Sequence, residues 1–284
     1  MTDKVCLVTG ATSGIGLATA LGLARFGATL ILVGRNRERG AAALARIREM
    51  AGSRSGEFIA ADLSTRAEVR RLAQEVQVRY PHLDVLINNA GGIFHRREES
   101  ADGIEMTWAL NVLGPFLLTR RLLPLLEAGG SARVINVSSV VHRAAHIHFE
   151  DLEGKKRYNL ARAYSQSKLA NVLLTYELAR RMDGTGVTAN ALDPGFFVAS
   201  GIISANGHRF WRPVQTVANL MAATPEMGAR TSIYLASSPN VAQMTGHFFK
   251  GSRPVPSSRR SYNLALAQHL WQVCLEMTGE CAPA

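Results

Sequence analysis

A buried strand that runs through a glycine-rich turn directly into a helix leaves a chain few ways to fold. Residues 4–9, Lys-Val-Cys-Leu-Val-Thr, are β-branched and apolar, as a strand covered on both faces must be. Thr9-Gly10-Ala11-Thr12-Ser13-Gly14-Ile15-Gly16 follows, and Leu17, Ala20, Leu21, Leu23 and Ala24 then recur at helical spacing as far as Phe26. Gly10 permits the tight turn, Gly14 lets a ligand approach the backbone, and Gly16 lets the helix pack closely on the strand. The start of the helix, with Thr12, Ser13 and Ile15 around it, offers unpaired N–H groups to a pyrophosphate. The spacing, G-x-x-x-G-x-G, differs from the G-x-G-x-x-G of the general dinucleotide fingerprint.

The same alternation continues down the chain. Residues 28–33 read as a second buried strand ending at Gly34-Arg35-Asn36-Arg37. At that edge an acidic residue would bind a ribose 2′-hydroxyl; Arg35 instead supplies a fork suited to a 2′-phosphate, which favours NADP over NAD, unless it is simply a surface arginine. A helix over 37–51 and a strand over 57–61 lead to Asp62-Leu63, placed either to cap the next helix or to hold an adenine amino group. Ser64-Thr65 resembles a helix cap. A fourth strand over 83–87 runs into Asn88-Asn89-Ala90-Gly91, where the asparagines can satisfy backbone groups of neighbouring strands. A long apolar helix spans about 103–126, and Asn111 inside it needs a partner, structural or functional. The fifth strand ends at Ser138-Ser139. Residues 140–162 break the pattern and read as a loop beside the site; His142, His146 and His148 there lack a convincing metal-ligand spacing. A periodic helix then opens with Tyr164-x-x-x-Lys168, one turn apart on one face. The sixth strand, 187–192, ends at Asp193-Pro194-Gly195. Residues 196–224 suit a lid; 246–249 form a short last strand and 254–258 a turn. A C-terminal helix lies at about 260–278.

These elements predict one α/β domain over 1–284, a Rossmann fold with a doubly wound parallel sheet of about seven strands and helices on both faces. Composition adds exclusions. A hydrophobic fraction of 47% and a charged fraction of 19% suit a globular protein. No uninterrupted apolar run reaches the roughly 18 residues of a membrane span, and the N-terminal run is short for a signal peptide or anchor. Cys6, Cys274 and Cys281 form no framework and no metal spacing, so a reduced, cytoplasmic setting is expected. The net charge of +10 is spread as singles and doublets, which reads as a solvated basic surface rather than a nucleic-acid face.

Tyr-x-x-x-Lys alone arises by chance about once in ten chains of this composition, so its weight comes from its companions. Thr9-Gly10-x-x-x-Gly14-Ile15-Gly16, Asp62-Leu63, Asn88-Asn89-Ala90-Gly91, Asn111, Ser139, Tyr164-x-x-x-Lys168 and Pro194-Gly195 occur in one order. In these the chain resembles the short-chain dehydrogenase/reductases over roughly residues 4–250. The long stretch from Ser139 to Tyr164, and Tyr164-Ser165-Gln166-Ser167-Lys168-Leu169-Ala170-Asn171, are similar to the retinol-dehydrogenase-like branch, which includes the dehydrogenase part of WW-domain oxidoreductases. The chain departs from that branch in lacking an N-terminal hydrophobic anchor, in Asp193 where His or Asn is usual, and in bulky Phe196-Phe197.

The resemblance implies hydride transfer between nicotinamide and an alcohol or carbonyl carbon. Tyr164 would be the general acid or base, its phenol lowered by Lys168 and by oxidised nicotinamide. Ser139 would hold the substrate oxygen, Lys168 the nicotinamide ribose, and Asn111 a water linking Lys168 to solvent. Expected cofactor contacts are Gly10, Thr12, Ser13, Gly14, Ile15, Gly16, Arg35, Asp62, Leu63, Asn89, Ala90, Gly91, Tyr164, Lys168, Pro194 and Gly195, with NADP(H) preferred over NAD(H) and no metal. The substrate is expected to be a lipophilic small molecule, with no nucleic-acid partner and a possible homo-oligomer formed through the tyrosine-bearing helix and its neighbour. Alternatives are an enzyme dedicated to one elaborate biosynthetic intermediate, a double-bond reductase resembling protochlorophyllide reductase, and a binding protein without turnover.

Overall fold

Alternate residues of β1 (Val5–Thr9) enter two different cores. Leu7 packs with Ile31, Val33, Leu86 and Val134 on one face, and Cys6 and Val8 pack with Leu30, Leu32, Ile87 and Ile135 on the other. A strand with both faces covered has no polar side, which explains the unbroken apolar runs. The computed structural model describes residues 1–51, 56–195 and 224–280; the expected lid at 196–224 lies outside the described residues except at Thr224.

The strands are β1, β2 (Thr29–Gly34), β3 (Gly56–Ala60), β4 (Val85–Asn88), β5 (Arg133–Val137), β6 (Thr188–Asp193), β7 (Phe248–Lys250) and β8 (Arg253–Pro254). Their order is β3-β2-β1-β4-β5-β6-β7-β8. All pairs are parallel except β7 with β8. Among the described residues the sheet therefore has eight strands, one more than the seven or so expected. The extra one is two residues of what reads as a turn, paired antiparallel at the edge, where Pro254 is tolerated.

Helices α1 (Gly14–Arg25), α2 (Arg37–Ala51) and α6 (Pro225–Ser237) cover one face. Helices α3 (Arg66–Arg79), α4 (Met106–Ala128), α5 (Leu160–Arg181) and α7 (Leu264–Thr278) cover the other. By length and composition α4 is apolar enough to cross a membrane, against the expectation from uninterrupted runs. Yet 72% of its most apolar window is buried inside the protein, packed against α3, α5 and α7. The α7 helix is fixed on three sides. Trp271 meets Phe116 of α4 edge-on at 4.9 Å, the Arg181 guanidinium of α5 lies 4.7 Å from the Trp271 ring, and Arg66 and Arg70 of α3 donate to the carbonyls of Met277 and Thr278.

Because β1 and β4 are neighbours while the chain leaves β1 in one direction along the sheet and β4 in the other, the strand order reverses there. Ligands of such sheets bind outside the carboxyl ends of the strands at that reversal. The glycine turn, Asn88-Asn89-Ala90-Gly91, Ser139 and Pro194-Gly195 all follow directly on strand ends at this edge.

Candidate active site

The glycine turn is built as its sequence requires. Gly10 and Gly14 adopt φ of +65° and +54°, where a side chain is strained. A Cβ on Gly16 would stand 2.2 Å from the Gly10 carbonyl oxygen and 2.4 Å from Asn89 Nδ2, so this position admits only glycine. Ser13 is the N-cap of α1 but makes no capping bond with its side chain. The first N–H groups of α1 are thus left for a ligand. The Ile15 side chain is buried against Ala18 and Ala229. Gly34 gives room to Thr12, whose methyl would lie 2.7 Å from a Cβ there.

The end of β4 is sewn to this turn. Thr9 Oγ1 accepts the N–H groups of Asn89 and Ala90, both at 3.0 Å, and Asn89 Nδ2 donates to the Thr9 carbonyl at 2.9 Å. Asn89 does satisfy backbone of a neighbouring strand. Asn88 instead bonds side chains, Thr119 Oγ1 at 2.9 Å and Asn136 Oδ1 at 2.8 Å. The sequence marks Thr9 only as the first residue of the glycine motif; a hydroxyl closing an otherwise apolar strand is the signal of this bonding role.

Arg35 stands exposed at the end of β2, 3.9 Å from Asp62 Oδ2. Asp62 Oδ1 accepts from Ser64 N–H at 3.0 Å and Ser64 Oγ at 2.7 Å. It shapes its own turn and does not cap α3. Neither Ser64 nor Thr65 supplies the cap: Thr65 occupies the N-cap position but its hydroxyl donates back to the Asp62 carbonyl at 3.3 Å, and Asp102 accepts the Arg66 N–H at 2.7 Å from a distant loop. Leu63 is buried and its carbonyl lies against α4, where a Cβ on Gly114 would come within 2.2 Å.

Asn111 occupies a π-helical turn, Ala109–Leu113, within α4. Such an irregularity aims a side chain that a regular helix would bury. Its amide is fully occupied: Oδ1 accepts Gly92 N–H at 2.8 Å, and Nδ2 donates to the Gly92 carbonyl at 3.0 Å and to Ser167 Oγ at 3.1 Å. Gly91 separates it from Lys168, since a Cβ there would be 3.2 Å from Asn111 Oδ1 and 3.7 Å from Lys168 Nζ.

Two bonds fasten α5 to the end of β5. Ser138 Oγ donates to the Lys168 carbonyl at 2.8 Å, and Lys168 Nζ donates to the Val137 carbonyl at 3.0 Å. Ser139 therefore follows directly on the strand that holds Lys168. Lys168 Nζ lies 5.5 Å from the centre of the Tyr164 ring. Burial pulls the Lys168 ammonium down to about 8. Burial, with the Asp193 carboxylate adding to it, pushes the Tyr164 phenol up to about 12. Removal from water dominates at this ring, and the Lys168 ammonium is turned to the Val137 carbonyl. Asp193 itself is buried; Oδ1 accepts Gly195 N–H at 3.2 Å, and Oδ2 lies 3.7 Å from Lys250 Nζ. Gly195, after Pro194, takes φ of +106°.

The 140–162 stretch is ordered by long-range bonds. It holds 3₁₀ turns at Val140–Ala144 and Phe149–Asp151. Gln166 of α5 accepts His148 N–H and donates to the Leu152 carbonyl, both at 2.9 Å. Tyr158 donates to the Phe94 carbonyl at 2.8 Å. Among the described residues no three of His, Cys, Asp and Glu could hold a metal ion. Cys6 and Cys274 are buried free thiols, and burial pushes the Cys6 thiol up to about 12.

Residues 4–206 match the model of the short chain dehydrogenases, and the chain belongs to that family of oxidoreductases of alcohol and carbonyl groups. Within it, the chain lies on the retinol-dehydrogenase-like branch. It is 40% identical to human retinol dehydrogenase 14, over 98% of this chain and 87% of that one. It is 38% identical to human polyprenol dehydrogenase, over 98% and 86%. Among solved structures, RhlG of Pseudomonas aeruginosa in complex with NADP superposes with a TM-score of 0.70 at 32% identity, over 88% of this chain and 94% of that one.

Proposed function

We propose that the protein is an NADP(H)-dependent reductase or dehydrogenase of an apolar aldehyde, ketone or alcohol, with Tyr164 as its general acid and base. The observation that carries this is the pinning of α5 to the end of β5 through Ser138, Val137 and Lys168, which holds Lys168, one turn after Tyr164, at the strand end that leads into Ser139. The glycine turn fits a dinucleotide, since Gly16 has no room for a side chain and the start of α1 is uncapped. Bound there, nicotinamide would supply or accept the hydride.

The chain's own residues do the rest. Ser139 steadies the substrate oxygen as charge builds on it. A phenol is protonated near neutrality, so Tyr164 can donate its proton to that oxygen in carbonyl reduction, while the burial that pushes it up makes deprotonation in the oxidative direction the harder task. Lys168 holds a positive charge next to the ring that develops phenolate. Asn111 fixes Gly92 and Ser167 around that lysine. Arg35, exposed at the end of β2, is the candidate for a 2′-phosphate. The retinol and polyprenol of the relatives' names support a lipophilic substrate.

The test is NADPH oxidation with a panel of lipophilic aldehydes and ketones. Tyr164→Phe is expected to lower turnover by at least about a thousandfold while NADPH still binds; undiminished turnover would remove Tyr164 from the chemistry. Arg35→Asp is expected to lower the preference for NADPH over NADH by about tenfold or more, from the lost charge-assisted bonds. An unchanged ratio would show that another group reads the phosphate.

A further inference from the structure

The 3₁₀ turn that Ser139 caps also carries side chains that the proposed reaction does not use. Val141 and Arg143 project from it into solvent. His142 between them is fully buried and ties the turn to a distant segment. Its Nδ1 donates to the Ser139 carbonyl at 2.6 Å and its Nε2 accepts Ser258 N–H at 3.2 Å, while Arg143 donates to the Pro256 carbonyl.

That segment presents Arg259, Arg260 and Tyr262 and leads into Leu264 at the start of α7. Tyr262 and Leu264 are 58% and 52% exposed, and Val141 is 37% exposed. Tyr262 is held in place rather than loose: one face of its ring stacks on Tyr176 at 5.5 Å, and its hydroxyl accepts Ser257 N–H at 3.0 Å.

The charge around this rim is one-sided. No Asp or Glu occurs between Glu226 and Glu276, and none between Glu127 and Glu150. Random placement at this composition would put about four carboxylates in the first stretch alone. Arg230, Lys250, Arg253, Arg259 and Arg260 fall within it. Asp193 is buried next to Lys250, and Glu150 faces His148 at 3.6 Å.

We propose that Val141, Tyr262 and Leu264, set among Arg143, Arg259 and Arg260, form a docking surface for an anionic lipid bilayer. The arginines meet lipid phosphates and the three apolar side chains enter the interface, where tyrosine and aliphatic groups are stabilised. The patch suits a bilayer better than a nucleic acid. Two of its three apolar groups are aliphatic and the third has one face already covered, so it offers no stacking platform for successive bases. The rim begins two residues after Ser139, so a docked bilayer would stand at the mouth of the site. That last consequence rests on the lipophilic-substrate reading; the docking itself does not.

Flotation of the full chain with vesicles tests it. Binding is expected to phosphatidylcholine vesicles that contain phosphatidylserine and not to phosphatidylcholine alone, and it should fall away at high salt. The double variant Arg259→Glu/Arg260→Glu should weaken it by about tenfold or more, and Leu264→Ser should weaken it without changing the salt dependence. Unchanged circular dichroism, and unchanged turnover of a short water-soluble aldehyde, would show that the variants fold. Absence of binding to anionic vesicles, equal binding by the charge-reversed variant, or duplex nucleic acid displacing the vesicles through the same arginines would each overturn the proposal. Flotation measures no turnover, so failure of the catalytic reading would leave this result standing.

Discussion

Lys168 carries its ammonium where charging it costs energy, and the cost has a defined pH signature. Its folded value of about 8 lies below the ordinary 10.5 because burial disfavours the charged form. Below about pH 8 both folded and unfolded chains hold the proton, and the folded state bears the whole cost. Between about 8 and 10.5 the unfolded chain binds a proton that the folded protein has released, so this residue makes stability rise with pH; above that window both are neutral. Tyr164 acts in the opposite sense at higher pH, since its raised phenol keeps a proton that the unfolded chain loses. Urea unfolding of wild type and Lys168→Met should therefore show the difference moving in favour of wild type from about pH 7 to about pH 10; a flat difference would mean that Lys168 titrates as it does in water. At this scale residue types and spacing carried much: Tyr164 and Lys168 stand one turn apart on α5, and Lys168 lies where that helix is fastened to the end of β5. What spacing could not carry is direction. That Lys168 faces Val137 and that the Asp193 carboxylate adds to the rise of the phenol depend on strands far apart in sequence.

Among the elements, the junction of the glycine turn with the end of β4 is the most tightly determined. A methyl at Gly16 collides with the Gly10 carbonyl and with the Asn89 amide that holds Thr9. Gly16→Ala is accordingly expected to cost about 1–3 kcal/mol of stability, the usual range for overpacking, and to weaken NADPH binding by tenfold or more because the start of α1 must shift. Chemical denaturation and a fluorescence titration measure the two effects separately. A variant of full stability and full affinity would show that the turn tolerates displacement. The turn was legible because glycines there answer to local geometry. The 140–162 stretch was not: its order comes from Gln166, Tyr158 and His142 reaching to other segments, and no periodicity announces such bonds. The two-residue β8 is too short to leave a pattern of its own.

In the whole molecule, the alternation of strands and helices foretold a doubly wound sheet, because unbroken apolar strands have nowhere stable but between two helical layers. The apolar length of α4 foretold burial without saying what would cover it. The cover includes α7, which packs on α4 through the edge-on contact of Trp271 with Phe116. The basic rim also escaped the sequence, in which its arginines stand in separate doublets and singles; only the fold gathers residue 143 with residues 259 and 260.

The position of α7 also sets an order of events during synthesis. Phe116, Leu174 and Leu178, which line a small cavity with Trp271, leave the ribosome long before Trp271 does. Since chains fold as they emerge, the layer around α4 and α5 spends that interval with part of its oily surface open to water. That surface is closed only when Trp271 arrives to pack edge-on against Phe116.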